Sequence, residues 1–181
     1  MKYDQTIITP KELTVHIRNG VASDGSTVLE NFNLTHAETD YLLSYPDENH
    51  FDSEQESRYL ERKAASPNEI ELIAFVNGKV AGTAGIEAIG AHYKVAHRAE
   101  FGISILKEYW GLGIGRALME ACIQCARAAG YAQLELDVVA ENARAISMYQ
   151  TAGFVEYGRN PKGFRSRNAG FQELISMRLE L

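Results

Sequence analysis

The sequence predicts an α+β fold in which a mixed, mostly antiparallel sheet of about six to seven strands carries helices on both faces. Asn77-Gly78, between two apolar runs, is the signature of a two-residue hairpin turn and therefore of antiparallel strands. Farther along, an apolar strand, a glycine-rich turn, an amphipathic helix and a second strand follow one another. The 181 residues, 45% of them hydrophobic, fit one domain spanning residues 1–181.

The first 45 residues predict a strand and a helix. Apolar and polar residues alternate over Leu13–Arg18, which favours a strand. A helix is expected between residues 24 and 45, and two starts are open. Asp24-Gly25-Ser26 is one, and the pattern Thr35-x-x-Glu38, which has the form of a capping box, is the other.

A second capping box predicts the next helix. Ser53-x-x-Glu56 begins a helix that must end before Pro67, because the residue preceding a proline resists helical geometry. The strands that follow are apolar on both faces over part of their length, which indicates a place in mid-sheet with cover on each side. The predicted strands of the remaining chain are Ile70–Val76, Lys79–Glu87, Arg98–Ile105, Leu134–Val139, Phe154–Asn160 and Phe171–Glu180.

The segment Tyr109–Arg116 has the composition of an anion cradle. Its glycines at 111, 113 and 115 carry no side chains, so backbone N–H groups at the start of the following helix can converge on a phosphate. A dinucleotide-binding G-x-G-x-x-G would need glycine at Arg116, and no P-loop motif occurs in the chain. The anion expected here is therefore a pyrophosphate held by the backbone.

A second motif follows the next strand: Asn142-x-x-Ala145-x-x-x-Tyr149-x-x-x-Gly153-Phe154. Together with the glycine turn, it resembles the GNAT superfamily of acyl-CoA-dependent N-acyltransferases over about residues 100–181, and residues 1–99 fit more loosely. The resemblance implies acetyl-CoA as co-substrate, no metal, and direct attack by an amine without an acyl-enzyme. One position departs from the family pattern, because Trp110 stands where the family usually has Arg or Gln; we interpret Trp110 as a core or lid aromatic.

By the same resemblance, Tyr149 protonates the departing thiolate, and its alternative is a core aromatic with its hydroxyl at the edge. Asn142 contacts the cofactor, or it only caps the second helix. Backbone N–H groups of the strand Arg98–Ile105 stabilise the oxyanion. The cofactor-binding residues that the resemblance implies are Ile103, Ser104, Ile105, Gly111, Leu112, Gly113, Ile114, Gly115, Arg116, Asn142 and Tyr149.

A base is also required, because a lysine-type amine is protonated at neutral pH. Glu100 is the first candidate, acting through a water, since it is a carboxylate in the strand that leads to the cradle. Two alternatives stay open: Glu100 is a solvated residue or a partner of Arg98, and Glu38 or Glu87 is the base instead.

Charge and composition restrict the partners. The net charge of −6 argues against nucleic acid and anionic membranes and favours a cationic acceptor, which is a small amine, an amino acid, or a protein N-terminus or lysine. The chain is compatible with a homodimer. No leader-like or membrane-spanning run occurs, so we expect a cytoplasmic enzyme. The functional alternative is a CoA-binding sensor or interaction module without turnover.

Two further clusters are interpreted as structural. Cys122-x-x-Cys125 lies on the apolar face of its helix and is expected to be a pair of buried free thiols. A predicted basic loop over residues 159–167 is expected to be solvated, with a substrate or phosphate role as the alternative. Its cations are Arg159, Lys162, Arg165 and Arg167.

Overall fold

One eight-stranded sheet forms the centre of the protein, which the computed structural model describes over residues 1–181. Its strands are β1 (Asp4–Ile8), β2 (Thr14–Asn19), β3 (Ile70–Val76), β4 (Lys79–Ala88), β5 (Arg98–Ile105), β6 (Gln133–Val139), β7 (Val155–Ser166) and β8 (Gly170–Glu180). The spatial order is β1-β2-β3-β4-β5-β6-β8-β7, and only β5 and β6 are parallel. The mixed, mostly antiparallel α+β fold is therefore confirmed, with eight strands where six to seven were predicted.

The additional strand is β1, at the edge of the sheet. It pairs with β2 from Asp4 opposite Arg18 to Ile8 opposite Thr14. Most of its side chains are exposed and only Ile7 packs against the main core, so the strand shows none of the alternation that identifies a strand in a sequence.

Four helices cover both faces of the sheet: α1 (Gly25–Glu38), α2 (Ser53–Ala65), α3 (Ile114–Ala128) and α4 (Ala143–Thr151). Helices α1 and α2 pack on β3 and β4 with a small core around Ile73. Leu72 and Ala74, the neighbours of Ile73 along β3, belong to the larger core beneath α3. Since successive side chains of a strand point to opposite faces, the predicted cover on both sides of β3 and β4 is confirmed.

Both predicted capping boxes are wrong in detail. Thr35 and Glu38 lie in the last turn of α1, which begins at Gly25. The box of α2 lies one residue earlier than predicted, because Asp52 is the N-cap: its carboxylate accepts from Gln55 N at 2.8 Å, and the Gln55 side chain accepts from Asp52 N at 2.9 Å. Residues 52–56 fit two capping boxes that differ by one residue. The extended backbone of Asp52 makes this residue the N-cap.

The predicted basic loop is also wrong, because residues 155–180 form a long hairpin. Strand β7 continues to Ser166, and only residues 167–169 make the turn to β8. Arg159 pairs with Glu156 at 2.7 Å and with Glu173 at 3.1 Å. By contrast, the predicted hairpin turn at Asn77-Gly78 is confirmed, with φ angles of 49° and 77°.

The sheet opens between its two parallel strands. Strand β5 pairs with β6 only from Arg98 opposite Gln133 to Glu100 opposite Glu135. Beyond this point β5 continues along β4, whereas β6 continues along β8. The gap leaves backbone groups of residues 101–105 without a strand partner on the β6 side, and it positions the candidate site. No helix of the protein is long and apolar enough to cross a membrane.

Candidate active site

A cleft of about 540 Å³ lies where β5 and β6 separate. One wall consists of the end of β5, the glycine turn and the start of α3, and the opposite wall is the N-terminal part of α4. Residues Thr39, Tyr41 and Leu42 contribute a third wall. Ten of the 19 lining residues are hydrophobic, so the cleft suits a long ligand with apolar and anionic parts.

The glycine turn places free N–H groups at the head of the 15-residue helix α3. Gly111 and Gly113 adopt φ angles of 78° and 91°, which other residues rarely do, and Gly113 is the N-cap without any side-chain cap. A Cβ on Gly115 would come within 3.3 Å of the Met148 sulfur and would therefore narrow the cleft. The first-turn N–H groups and the helix dipole together form an anion site open to the cleft.

The structure brings most of the predicted cofactor-binding residues together. Those that line the cleft are Ile103, Ser104, Ile105, Gly111, Gly113, Gly115, Arg116, Asn142 and Tyr149. Leu112 and Ile114 are the exceptions. Ile114 is fully buried in the main core, where it anchors the first turn of α3. Any contact from Ile114 to a ligand would therefore involve the backbone, whereas Leu112 is half-buried outside the cleft lining.

Asn142 and Tyr149 are the two polar side chains that α4 brings to the cleft from the second motif. Asn142 caps the helix, since its side-chain oxygen accepts from Ala145 N at 3.3 Å. Tyr149 is 6% exposed and packs edge-on against Phe101, with 6.2 Å between ring centroids. Burial alone raises the pKa of Tyr149, with no contribution from a hydrogen bond or a charge, so its phenol is protonated at neutral pH.

Glu100 lies outside the cleft lining, at the closed end of the split between β5 and β6. Its register partners are Glu87 on β4 and Glu135 on β6, so three carboxylates stand side by side on one face of the sheet. Desolvation, and then repulsion from Asp137, Glu87 and Glu135, raise the pKa of Glu100. A carboxylate in this state is a stronger base than an ordinary glutamate.

The three candidate bases differ in their partners. Arg98 pairs with Glu135, with 2.7 Å between Nη2 and Oε2, and so does not neutralise Glu100. Glu87 is bound to the buried Lys63 at 2.6 Å. Glu38 accepts a hydrogen bond from Lys107 N at 2.7 Å. Glu100 is therefore the one of the three candidate carboxylates without an ion pair or hydrogen-bond partner.

The third wall is held by contacts that the sequence does not reveal. Asp40 accepts hydrogen bonds from Ser166 and from the Tyr45 hydroxyl, and the Tyr45 oxygen accepts from Arg167 N at 2.9 Å. The Asp40 carbonyl accepts from Gln172 at 3.2 Å. We call these five residues the clasp, because they tie residues 39–45 to the tip of the β7–β8 hairpin.

Trp110 lines the cleft and is fixed to the end of β5, since its indole N–H donates to Ile105 O at 2.7 Å. Its role as a core or lid aromatic stays a prediction. Cys122 and Cys125, in contrast, are buried free thiols in the main core, as predicted, and burial raises the pKa of both. No group of three or more histidine, cysteine or acidic side chains is arranged to hold a metal ion.

Comparison with known proteins agrees with this geometry. The family described as "Acetyltransferase (GNAT) family" matches residues 34–154. L-amino acid N-acetyltransferase AaaT of Escherichia coli (strain K12) is 30% identical over 118 residues, which are 65% of this chain and 72% of that protein. [Ribosomal protein bS18]-alanine N-acetyltransferase of the same organism is 43% identical over 56 residues, or 31% of this chain and 38% of that protein.

Two solved structures share the fold. An acetyltransferase of the GNAT family from Streptococcus pneumoniae superposes with a TM-score of 0.88 at 32% identity, covering 92% of this chain and 99% of that chain. The structure of yncA from Salmonella typhimurium with its cofactor acetyl-CoA has a TM-score of 0.80 at 21% identity, covering 92% and 94%.

Proposed function

Since the chain belongs to the GNAT acetyltransferase family, we propose that it transfers the acetyl group of acetyl-CoA directly to a primary amine within a ternary complex. That it is an acetyl-CoA-dependent N-acetyltransferase follows from its family. The observation that carries the finer proposal is the cleft, in which the glycine cradle, the unpaired edge of β5 and the Tyr149 phenol face a common space. Direct transfer needs these three elements and no nucleophilic side chain.

The cradle is the place for the pyrophosphate of the cofactor. N–H groups at the head of α3 would bind it, with Gly111 and Gly113 giving the turn its shape and Gly115 leaving the cleft open. From there the pantetheine arm would lie along Ile103–Ile105, whose backbone lacks a partner on that side. An N–H group of this stretch would stabilise the thioester oxyanion, because it is already oriented.

The proton transfers are assigned to Glu100 and Tyr149. Glu100 takes a proton from the attacking amine through water, as the amine nitrogen forms a bond to the thioester carbon. When the carbon–sulfur bond breaks, the Tyr149 hydroxyl gives its proton to the thiolate, so that free CoA thiol and an acetamide leave. The proton on Glu100 passes to water, and water returns one to Tyr149.

The acceptor would enter beside Tyr41 and Leu42, which the clasp holds in the third wall. Two relatives act on amines of different size, an L-amino acid in one and the alanine of a ribosomal protein in the other. A small-molecule or peptide amine is accordingly the proposed acceptor class. The carboxylate of Glu100, which has no ion-pair partner, favours the approach of a positively charged acceptor.

A thiol-release assay with acetyl-CoA tests the proposal against a CoA-binding sensor. The acceptors are free L-amino acids, a peptide with N-terminal alanine and a lysine peptide with a blocked N-terminus. We expect amine-dependent release of CoA, an acetylated product by mass spectrometry, and intersecting double-reciprocal plots. Parallel plots would contradict direct transfer. Binding of CoA without amine-dependent release would favour the sensor.

A further inference from the structure

Arg144 occupies a position that helix stability does not explain. It is an exposed residue in the first turn of α4, where the partial positive charge of the helix dipole disfavours a cation. It makes no ion pair and donates no hydrogen bond within the protein, although Glu141 is three residues away. Its side chain nevertheless lines the cleft.

A fixed aromatic ring holds the Arg144 guanidinium at this place. The guanidinium carbon lies 4.8 Å from the centroid of the Trp110 ring, within the range of a cation–π contact. The Trp110 ring is itself immobilised by the hydrogen bond from its N–H to Ile105 O. Since Trp110 directly precedes the glycine turn, this contact connects the start of α4 to the cradle across the cleft.

The charge of the cleft is opposite to that of the whole protein. The chain carries a net charge of −6, whereas the charged residues that line the cleft are Arg116, Arg144 and a single acid, Glu141. Neither arginine has a carboxylate partner, in contrast to Arg18, Arg98 and Arg159 elsewhere. A guanidinium with five free donors in an anion-binding cleft is suited to phosphate.

We propose that Arg144, positioned by Trp110, binds a phosphate of coenzyme A from the wall opposite the cradle. The inference rests on the cofactor placement proposed above, and it adds a side-chain ligand from α4 to the backbone N–H groups of the cradle. Coenzyme A offers two phosphate groups for this contact, the 5′-diphosphate and the 3′-phosphate, and the chemistry of recognition is the same for both.

Calorimetric titration of the full chain with CoA and with 3′-dephospho-CoA tests the proposal. We expect Arg144→Gln to weaken CoA binding about tenfold, with Arg144→Lys intermediate, because a charge-assisted hydrogen bond is lost. The loss should shrink at high salt. If Arg144→Gln also weakens the binding of 3′-dephospho-CoA, Arg144 contacts the diphosphate. If it weakens the binding of CoA only, Arg144 contacts the 3′-phosphate. Arg127→Gln, at the far end of α3, is the matched control and should bind normally.

Two results separate the inference from the placement on which it rests. The loss of an ionic contact should weaken binding by more than about twofold. If Arg144→Gln binds both CoA and 3′-dephospho-CoA within about twofold of the wild-type affinity, the proposed role of Arg144 is wrong. If Gly115→Val, which narrows the cleft, also leaves CoA binding unchanged, the cofactor placement itself is wrong. Because Arg144 is exposed and unpaired, its variants should keep the wild-type Tm, and a large fall in Tm with the loss of affinity would indicate a structural role instead.

Discussion

The two sides of the cleft are built by different means. The first two walls form the proposed cofactor side. They come from residues 103–149, where a glycine turn, a helix start and a second helix follow one another along the chain. The third wall depends on hydrogen bonds between distant positions, such as Tyr45 and Arg167, which are 122 residues apart. Local geometry therefore shapes the proposed cofactor side, whereas the third wall, the proposed acceptor side, depends on how a hairpin docks. Substitutions on the two sides should have separable effects.

The largest effect is expected at Tyr149. Tyr149→Phe keeps the ring and its contact with Phe101 but removes the proposed proton donor. General-acid groups contribute roughly 10² to 10⁴ in rate, so kcat should fall at least about tenfold while acetyl-CoA affinity stays near that of the wild type. Steady-state kinetics at saturating substrates measures this, with a thioester of a more acidic thiol as the second substrate. The defect should shrink with that substrate, because a better leaving group needs less protonation.

A nearly normal kcat in Tyr149→Phe, under conditions where chemistry limits the rate, would return Tyr149 to the role of a core aromatic. In that case the change should cost little stability, because the Tyr149 hydroxyl makes no hydrogen bond within the protein. Thermal unfolding of the variant without ligand provides the control for packing.

Gly115 tests the cofactor side by binding alone. Gly115→Val places a side chain toward Met148, between α3 and α4, and should abolish the stabilisation by CoA. In the wild type, CoA at a concentration a hundred times its Kd should raise the free energy of unfolding by about 2.7 kcal/mol. Gly113→Val is a poorer test, since Gly113 has a φ of 91° and a Cβ there would approach Thr9 within 3.1 Å. Thermal shift with CoA is the measurement.

Ala128→Val, at the exposed end of α3, introduces the same side chain into the same helix away from the cleft and serves as the control. It should retain the full thermal shift with CoA. A Gly115→Val protein with an undiminished shift would show that the ligand does not pass between α3 and α4.

The contrast between the two sides also explains what the sequence could predict. Gly111 and Gly113 act through their own backbone conformation, and Arg98–Ile105 is apolar enough to define β5 at both ends. The glycine turn, the strand before it and the Asn142 cap of α4 were therefore predictable from neighbouring residues, whereas the caps of α1 and α2 were misplaced. Arg144 and the clasp were not, because their roles arise from strand pairing and helix docking that no local pattern encodes. The roles of Glu100 and Tyr149 stay predictions for the same reason, since position does not fix protonation chemistry.

Glu100 lies at the closed end of the split between β5 and β6, and its proposed role predicts a pH-dependent effect. If Glu100 is the base, its raised pKa should move the acidic limb of the kcat/KM profile above the range of an ordinary glutamate, and activity should rise as Glu100 loses its proton. Glu100→Gln should lower kcat/KM chiefly at pH values above that limb, where the wild type is fully active. Asp137→Asn removes the strongest repulsion and should move the limb to lower pH. An unchanged profile in both variants would assign the base to another group or to water.

Stability supplies the control for Glu100. A carboxyl whose pKa is raised by folding stabilises the native state at low pH, and this contribution is lost as pH rises through its folded pKa. Glu100→Gln, which cannot ionise, should therefore be as stable as the wild type in acid and no less stable at neutral pH. A large loss of stability at neutral pH would point to a structural role for Glu100.

The smallest effect is expected on the acceptor side, from the clasp. Asp40→Ala removes the acceptor for both the Ser166 and Tyr45 hydroxyls and should free residues 39–42. If only a fraction of molecules then holds the wall in place, the apparent amine affinity falls by that fraction, up to roughly tenfold for two hydrogen bonds that together contribute about 1.4 kcal/mol. The KM for the amine should rise, while the Kd for acetyl-CoA stays the same.

Two arginine variants grade this effect. Arg167→Met breaks an exposed ion pair with Asp47 and should raise the KM for the amine less than Asp40→Ala does. Arg165→Met lies two residues earlier, has no carboxylate partner to lose, and should leave the KM unchanged. Equal losses of cofactor and amine affinity in Asp40→Ala would show instead that the clasp supports the whole cleft, and the division into two independently built sides would then be wrong.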